Sequence, residues 1–318
     1  MAGRGAQAVV RPSAIPVTVI GGFLGAGKTT LVNHVLQGDH GLKIAVLVND
    51  FGAVNIDAAL ITSSEGGVYS LANGCVCCGL NQGLVEQLEE LLERPGSFDH
   101  MVIEASGVAD PARIMDTVRY ARFAGRLQAD AVVVLVDLAG FDQAMTAAPG
   151  LAETQLDAAD LVVLNKADLV PLSQIEAWRK RWQWPGMRVI TAVDARVPFD
   201  FLFAGQQTGA DRAHDHAHAH EQPVSRTWRS SAPVDLEALA AVLKSLPPAV
   251  YRAKGFVRDS QGRQLAVQVV GTRVTVVPVG PGASSVGDGS ILVLIGFGAD
   301  ADFDGTLARL DACASPSR

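Results

Sequence analysis

Cysteine is scarce in this 318-residue sequence, and its few copies are crowded together. Of the four cysteines, three lie within one stretch of four residues, at Cys75, Cys77 and Cys78. A secreted domain stabilised by disulfides would spread its cysteines along the chain. This distribution therefore predicts reduced thiols and a cytoplasmic location.

Long apolar runs and an excess of positive charge are also missing. No segment approaches the roughly 18 apolar residues of a membrane span. Residues 1–16 contain Arg4 and Arg11 but no apolar signal-peptide core, so we expect a disordered leader there. The net charge of −7 argues against nucleic acid as a partner, because a phosphate backbone is bound by a basic face. We therefore expect neither a membrane nor a nucleic acid among the partners.

What the sequence does contain is a phosphate-binding motif, GFLGAGKT, at residues 22–29. Residues 17–20 before it are typical of a buried strand, and residues 30–36 after it have helical apolar spacing. This is the order that a P-loop requires, and it favours a P-loop over an ordinary glycine-rich turn. Lys28 is expected at the β- and γ-phosphates and Thr29 at Mg²⁺. The residues expected to bind nucleotide in this motif are Gly22, Gly25, Ala26, Gly27, Lys28, Thr29 and Thr30.

Two acidic residues follow the next two predicted strands. Asp50 comes after the strand at 42–48, where an acid next to a P-loop could bind Mg²⁺ or act as a base, although many loop acids only cap helices. Glu104 ends the strand at 100–103 and is followed by Gly107. In P-loop proteins such an acid holds Mg²⁺ through water, and such a glycine amide can bind the γ-phosphate. A routine strand end is the alternative for Glu104.

A base-recognition element is predicted at Asn165, Lys166 and Asp168, directly after an apolar strand at 161–164. The Asp168 carboxylate can accept hydrogen bonds from the N1–H and the exocyclic amine of guanine. Adenine lacks this donor pair and would leave the buried acceptors unpaired. Asn165 and Lys166 are expected to support the base and the loop. The nucleotide is therefore expected to be GTP.

The cysteine cluster has the composition of a metal site. Cys75, Cys77 and Cys78 form Cys-x-Cys-Cys between glycines, and three thiolates suit Zn²⁺ with a fourth position left open. Two alternatives remain for these cysteines. They could pack as small apolar side chains in the core, or Cys75 and Cys78 could form a redox pair.

The composition changes after residue 204. Residues 205–222 are predicted to be a flexible linker whose alternating histidines could bind Zn²⁺, Co²⁺ or Ni²⁺ weakly, or could simply be polar. These histidines are His214, His216, His218 and His220. Residues 223–314 contain runs of predicted strands flanked by helices, a pattern typical of a small α+β sandwich. Three basic residues of this module could dock a partner or simply be solvated, and we favour the second interpretation; they are Arg252, Lys254 and Arg258.

Taken together, the P-loop, the Asp50 loop, Cys-x-Cys-Cys, the Glu104–Gly107 segment and the Asn165–Asp168 element resemble the CobW-type metallochaperones of the G3E GTPases. The resemblance implies an α/β P-loop GTPase domain at 17–204, with a mainly parallel sheet, and a smaller C-terminal α+β domain at 223–314. It further implies slow GTP hydrolysis using Lys28, Asp50 and Glu104. One departure is Asp50, where the family often has glutamate.

The same resemblance implies the cargo and the partners. Mg²⁺ would be held by Thr29, Asp50 and Glu104, and Zn²⁺ or Co²⁺ by the three cysteines before transfer to an unidentified client protein. A homodimer remains open. Because the cysteines lie between the two phosphate-sensing loops, we hypothesise that the nucleotide state controls metal affinity. Two alternatives are a metal buffer or sensor with negligible turnover, and a GTPase that matures a cobalt-dependent enzyme.

Overall fold

Seven apolar segments of the first part of the chain form one parallel sheet in the computed structural model, which describes residues 14–48, 68–70, 80–93, 98–203, 224–279, 289–296 and 300–314. The strands are β1 (Ile15–Gly22), β2 (Ile44–Val48), β3 (Val68–Ser70), β4 (His100–Glu104), β5 (Leu127–Asp137), β6 (Leu161–Asn165) and β7 (Val189–Thr191). Their order across the sheet is β3-β2-β4-β1-β5-β6-β7. Most strand residues are buried, as expected for a parallel sheet covered on both faces.

Helices cover both faces of this sheet. They are α1 (Lys28–Gln37), α2 (Leu80–Glu93), α3 (Pro111–Val118), α4 (Phe141–Ala147), α5 (Pro149–Ala158), α6 (Leu172–Trp182) and α7 (Phe199–Leu202). Alternate residues of each strand enter two different cores: Ile20 and Val133 pack with α1, whereas Val19 and Val132 pack with α2 and α3. In α2, Leu84, Leu88 and Leu91 are buried and belong to the second of these cores. Within the described residues, every helix is too short or too polar to cross a membrane.

The later part of the chain forms a second, antiparallel sheet. Its strands are β8 (Val224–Ser230), β9 (Val250–Arg258), β10 (Gln264–Val270), β11 (Arg273–Pro278) and β12 (Ser290–Gly296), in the order β11-β10-β9-β12-β8. Two helices, α8 (Leu236–Lys244) and α9 (Asp300–Cys313), contribute to the core of this sheet. Asp235 begins α8 by accepting hydrogen bonds from two backbone N–H groups of its first turn. The α/β fold with a smaller C-terminal α+β unit is therefore confirmed.

A buried charge cluster joins the two sheets. β5 carries one extra residue opposite β1, since Val17 pairs with Ala129 and Thr18 with Ala131, and this bulge contains Asp130. The Asp130 carboxylate contacts the Arg252 guanidinium of β9 at 2.6 Å, and both side chains are almost fully buried. The interpretation of Arg252 as a solvated surface cation is therefore wrong, because β9 packs against the first sheet here and buries the guanidinium against Asp130.

Candidate functional site

The P-loop follows β1 and leads directly into α1. Gly27 precedes the helix with φ 103°, and a Cβ there would collide with the side-chain amide of Asn165, so only glycine fits. Lys28 is 7% exposed, and its Nζ donates to the Phe23 carbonyl at 3.1 Å. The Lys28 ammonium group therefore lies against the backbone at the start of the loop. Thr30 is exposed on the first turn of α1.

A hydroxyl and a carboxylate meet beside the P-loop. Thr29 Oγ1 donates to Glu104 Oε1 at 2.8 Å, and the Glu104 side chain is buried at the end of β4. Both atoms are hard oxygen ligands of the kind that Mg²⁺ prefers. Two residues that are 75 positions apart in sequence thus lie where one Mg²⁺ could be held.

The Gly107 segment packs directly on the P-loop. The Ala109 N–H donates to the Ser106 carbonyl at 2.9 Å, which closes a turn around Gly107 and Val108. A Cβ on Gly107 would lie 2.6 Å from Leu24 Cδ2 and 2.8 Å from the Leu24 nitrogen. The glycine therefore permits a backbone approach that a side chain would prevent.

Asn165 connects the predicted base-recognition element to the P-loop. Its Nδ2 donates to the Ala26 carbonyl at 2.9 Å, and its Oδ1 accepts from the Ala195 N–H at 2.8 Å. The side chain is 2% exposed, so both of its polar ends are satisfied in a buried position. One amide thereby joins the P-loop, the end of β6 and the segment after β7.

Lys166 and Asp168 lie on either side of the same turn. Lys166 has φ 59°, and its Nζ lies 2.6 Å from Asp137 Oδ2 at the end of β5. Asp137 Oδ1 in turn accepts from the N–H groups of Ala139 and Gly140. Asp168 is exposed, as an acceptor of an incoming base must be. Sequence reasoning did not select Asp137; its position at the end of a buried strand was the available signal.

Other predicted site residues lie outside the described residues. They are Asp50, the metal candidates Cys75, Cys77 and Cys78, and the linker histidines His214, His216, His218 and His220. Within the parts of the chain that the structure describes, no group of three His, Cys, Asp or Glu side chains could hold a metal ion.

The described strands nevertheless define where two of these segments start. Val48 pairs with both Glu104 and Ser70, and Glu104 pairs with Ile20, so one row of residues crosses the sheet from β3 to β1. Asp50 follows Val48 by two residues and Cys75 follows Ser70 by five. Both segments therefore begin at the edge of the sheet that carries the P-loop.

The chain is similar to known nucleotide-binding proteins over most of its length. Residues 16–184 match the CobW/HypB/UreG nucleotide-binding domain, and residues 224–314 match the cobalamin synthesis protein cobW C-terminal domain. The zinc chaperone CobW of Pseudomonas aeruginosa is 32% identical over 305 residues, which covers 81% of each chain. The zinc chaperone YjiA of Escherichia coli K12 is 40% identical over 160 residues, covering 49% of this chain and 50% of its own.

A solved structure also matches almost the full length. The crystal structure of the Zn(II)-bound YjiA GTPase from E. coli has a TM-score of 0.46 and 25% identity, covering 95% of this chain and 99% of its own. The matches to both family domains, and the relative that is 32% identical over 81% of this chain, agree with the motifs in the sequence. The chain belongs to the CobW-type G3E family of P-loop GTPases.

Proposed function

We propose that this protein binds and hydrolyses GTP and uses the nucleotide cycle to control the binding and transfer of Zn²⁺ or a similar divalent ion. The observation that carries the nucleotide half is the 2.9 Å hydrogen bond from Asn165 to the Ala26 carbonyl. It brings the predicted guanine-recognition turn and the phosphate-binding loop into one site, so a single nucleotide could contact both.

The assigned roles follow from this arrangement. Lys28 and the P-loop N–H groups would bind the β- and γ-phosphates, and Asp168 would accept from guanine. Thr29 and Glu104, whose oxygens are 2.8 Å apart, would hold Mg²⁺ together with Asp50. The ion would neutralise charge on the transferred phosphoryl group when bound. Gly107 would contact the γ-phosphate through its N–H and so distinguish GTP from GDP.

The metal half is supported by the chain connections and by the relatives. Cys75, Cys77 and Cys78 lie between Ser70 and Leu80, and Ser70 belongs to the row that also contains Glu104. Relatives that share about a third of the sequence are named zinc chaperones. We assign the thiolates as the zinc ligands and the linker histidines as additional weak donors. The thiolates must stay reduced, so we place the function in the cytoplasm, where a client protein would receive the ion.

The nucleotide proposal is tested by comparing GTP with ATP. We expect saturable GTP binding and a slow turnover that needs Mg²⁺. The affinity for ATP should be at least about 100-fold weaker, since adenine lacks the donor pair that the Asp168 carboxylate would accept from. Equal affinity for the two nucleotides would contradict the assignment of Asp168.

The coupling proposal is tested by zinc competition against a chelating dye, with either a non-hydrolysable GTP analogue or GDP bound. We expect different zinc affinities in the two states, and no high-affinity zinc binding in a variant with all three cysteines replaced by serine. A matched control is Cys313→Ser, because Cys313 is buried in α9 and its thiol donates to the Arg309 carbonyl. The same zinc affinity in both nucleotide states would eliminate the coupling.

A further inference from the structure

Gln155 is a polar residue on the buried face of α5. Its side chain is 2% exposed, and its neighbours on that face, Ala152 and Leu156, are buried apolar residues. An amide in such a position lowers stability unless its polar atoms are hydrogen-bonded. The partners that it has therefore indicate why glutamine is there.

Both described partners of the Gln155 amide belong to the Gly107 turn. Gln155 Nε2 donates to the Gly107 carbonyl at 3.3 Å and to the Ala109 carbonyl at 3.0 Å. These two carbonyls flank Val108, so one amide group is bonded to both sides of the turn. The donor lies 48 and 46 positions after the two acceptors in the sequence, so the contact is tertiary.

The opposite side of the turn is in contact with the P-loop. Gly107 approaches Leu24 so closely that a Cβ would lie 2.8 Å from its backbone nitrogen. The turn is therefore held between the P-loop and Gln155. Any shift of the Gln155 amide would be transmitted to the spacing between Gly107 and the P-loop.

The hydrogen bonds also define how the peptide planes of the turn are oriented. The Ser106 carbonyl accepts from the Ala109 N–H and so points into the turn. The Gly107 N–H belongs to the same planar trans peptide and must point the opposite way. The following carbonyl, of Gly107, is directed at Gln155. The two bonds together orient the one N–H that the proposed function assigns to the γ-phosphate.

Close packing is incomplete around this contact. A cavity of about 260 Å³ is lined by Phe23 and Leu24 of the P-loop, by Phe141 and Ala144 of α4, and by Gln155 and Leu156 of α5. Both neighbours of the Gly107 turn thus border open space. The hydrogen bonds from Gln155 therefore give the turn a directional constraint next to this open space.

We propose that Gln155 is a positioning residue for γ-phosphate recognition: it holds the Gly107 turn against the P-loop with its N–H directed outward. This inference rests on the proposed GTPase function and names a further residue of the same site. GDP has no γ-phosphate, so its binding does not depend on the orientation of this turn. Gln155 therefore acts on the preference for GTP over GDP and on turnover, and not on nucleotide binding in general.

The test is the full-length variant Gln155→Met, which keeps the side-chain length and removes the donor. We expect its affinity for a non-hydrolysable GTP analogue to fall about 10-fold, as for the loss of a pair of hydrogen bonds, while its affinity for GDP changes by less than about twofold. Turnover should fall with the GTP preference. The matched control is Glu153→Gln, an exposed position on the same helix, which should leave both affinities unchanged.

Three outcomes separate the inference from the function on which it rests. If the unmodified protein binds neither GTP nor GDP, the proposed function is wrong. If it binds both, but Gln155→Met keeps the unmodified preference or weakens both nucleotides equally, then Gln155 has only a structural role and the inference is wrong.

A second measurement does not depend on the variant folding. In the unmodified chain, hydrogen exchange of a peptide spanning residues 105–112 should be slower with the GTP analogue than with GDP, since the turn then binds the γ-phosphate. Identical exchange in the two states would show that this turn does not sense the γ-phosphate and would overturn the inference.

Discussion

Replacing Arg252 by methionine should destabilise the protein far more than its place in a short basic segment suggests. In the folded chain, its guanidinium donates to Asp130 at 2.6 Å and to the carbonyls of Phe201 and Leu202 at 2.7 and 2.9 Å. Arg252 is 2% exposed and Asp130 is 1% exposed. Methionine fills much of the volume but leaves the carboxylate buried without its main cationic partner.

The magnitude follows from the burial of the pair. Removing one partner of a buried ion pair costs about 3–5 kcal/mol, because the remaining charge stays desolvated. The pKa of Asp130 gives an independent scale: burial acts to raise it, but Arg252, His100 and Lys254 lower it from 3.8 to about 2. At about 1.4 kcal/mol per pKa unit, lowering the pKa from 3.8 to about 2 corresponds to a net stabilisation of the carboxylate of about 2–3 kcal/mol after the cost of its burial. The loss on Arg252→Met should therefore be at least of this size.

The pH dependence has a definite sign. Because the folded-state pKa of Asp130 lies below its unfolded value of 3.8, its stabilising contribution is fully present above about pH 5. It is lost progressively as the pH falls through 3.8 towards 2. In Arg252→Met, burial is opposed by fewer charges, so the folded-state pKa rises and the acid-induced loss of stability should begin at a higher pH.

The assay is urea denaturation followed by far-ultraviolet circular dichroism at pH 7 and across pH 3–6. A double-mutant cycle with Asp130→Asn isolates the pair: the double variant should be more stable than the sum of the two single losses predicts, by more than about 1 kcal/mol. Arg229→Met, at an exposed position on β8, is the control and should change stability by less than about 0.5 kcal/mol. A loss below about 1 kcal/mol for Arg252→Met, or strict additivity in the cycle, would refute this reasoning.

Three further predictions concern the nucleotide site. Asp168→Asn should weaken GTP binding about 100-fold in a fluorescence titration, because two charge-assisted hydrogen bonds to guanine are lost; an unchanged affinity would contradict the assignment. Asp137→Asn should weaken GTP binding several-fold, since it removes the charge that holds Lys166 at 2.6 Å; no change would mean that the nucleotide orients the lysine itself. Gly107→Ala should reduce turnover at least about tenfold, because its Cβ would overlap the P-loop backbone. The control Gly83→Ala has open space in α2, so it should leave turnover unchanged and raise the free energy of unfolding by about 0.5–1 kcal/mol. Equal turnover in the two variants would be inconsistent with the close approach of Gly107 to the P-loop.

The local sequence pattern was sufficient to predict features that depend on contiguous residues. The P-loop motif at 22–29 required glycine for its backbone and predicted the helix that follows, and α1 begins at Lys28. The buried strands were recognisable because a sheet covered on both faces needs continuous apolar runs. The roles assigned to Lys28, Thr29 and Asp168 remain predictions, and so does the metal role of the cysteines.

The local sequence pattern could not predict the role of a residue whose partner is distant in the sequence. Arg252 looked like a solvated surface cation, yet it is buried against Asp130, 122 positions away. Gln155 has the ordinary appearance of a helix residue, because nothing in its neighbourhood in sequence shows that its amide reaches the Gly107 turn 48 positions earlier. Asp137 and Asp130 both sit in one apolar strand, and only a bulge in pairing distinguishes the second.

The amino-acid sequence by itself determined the family and the fold class, because a phosphate loop and the motifs that accompany it need particular residue types at short, fixed spacings. The tertiary structure alone decided which side chains orient those motifs and which charges hold the two sheets together. The physical reason is distance along the chain: backbone geometry propagates over a few residues, whereas burial and ion pairing depend on what the completed fold brings within about 3 Å.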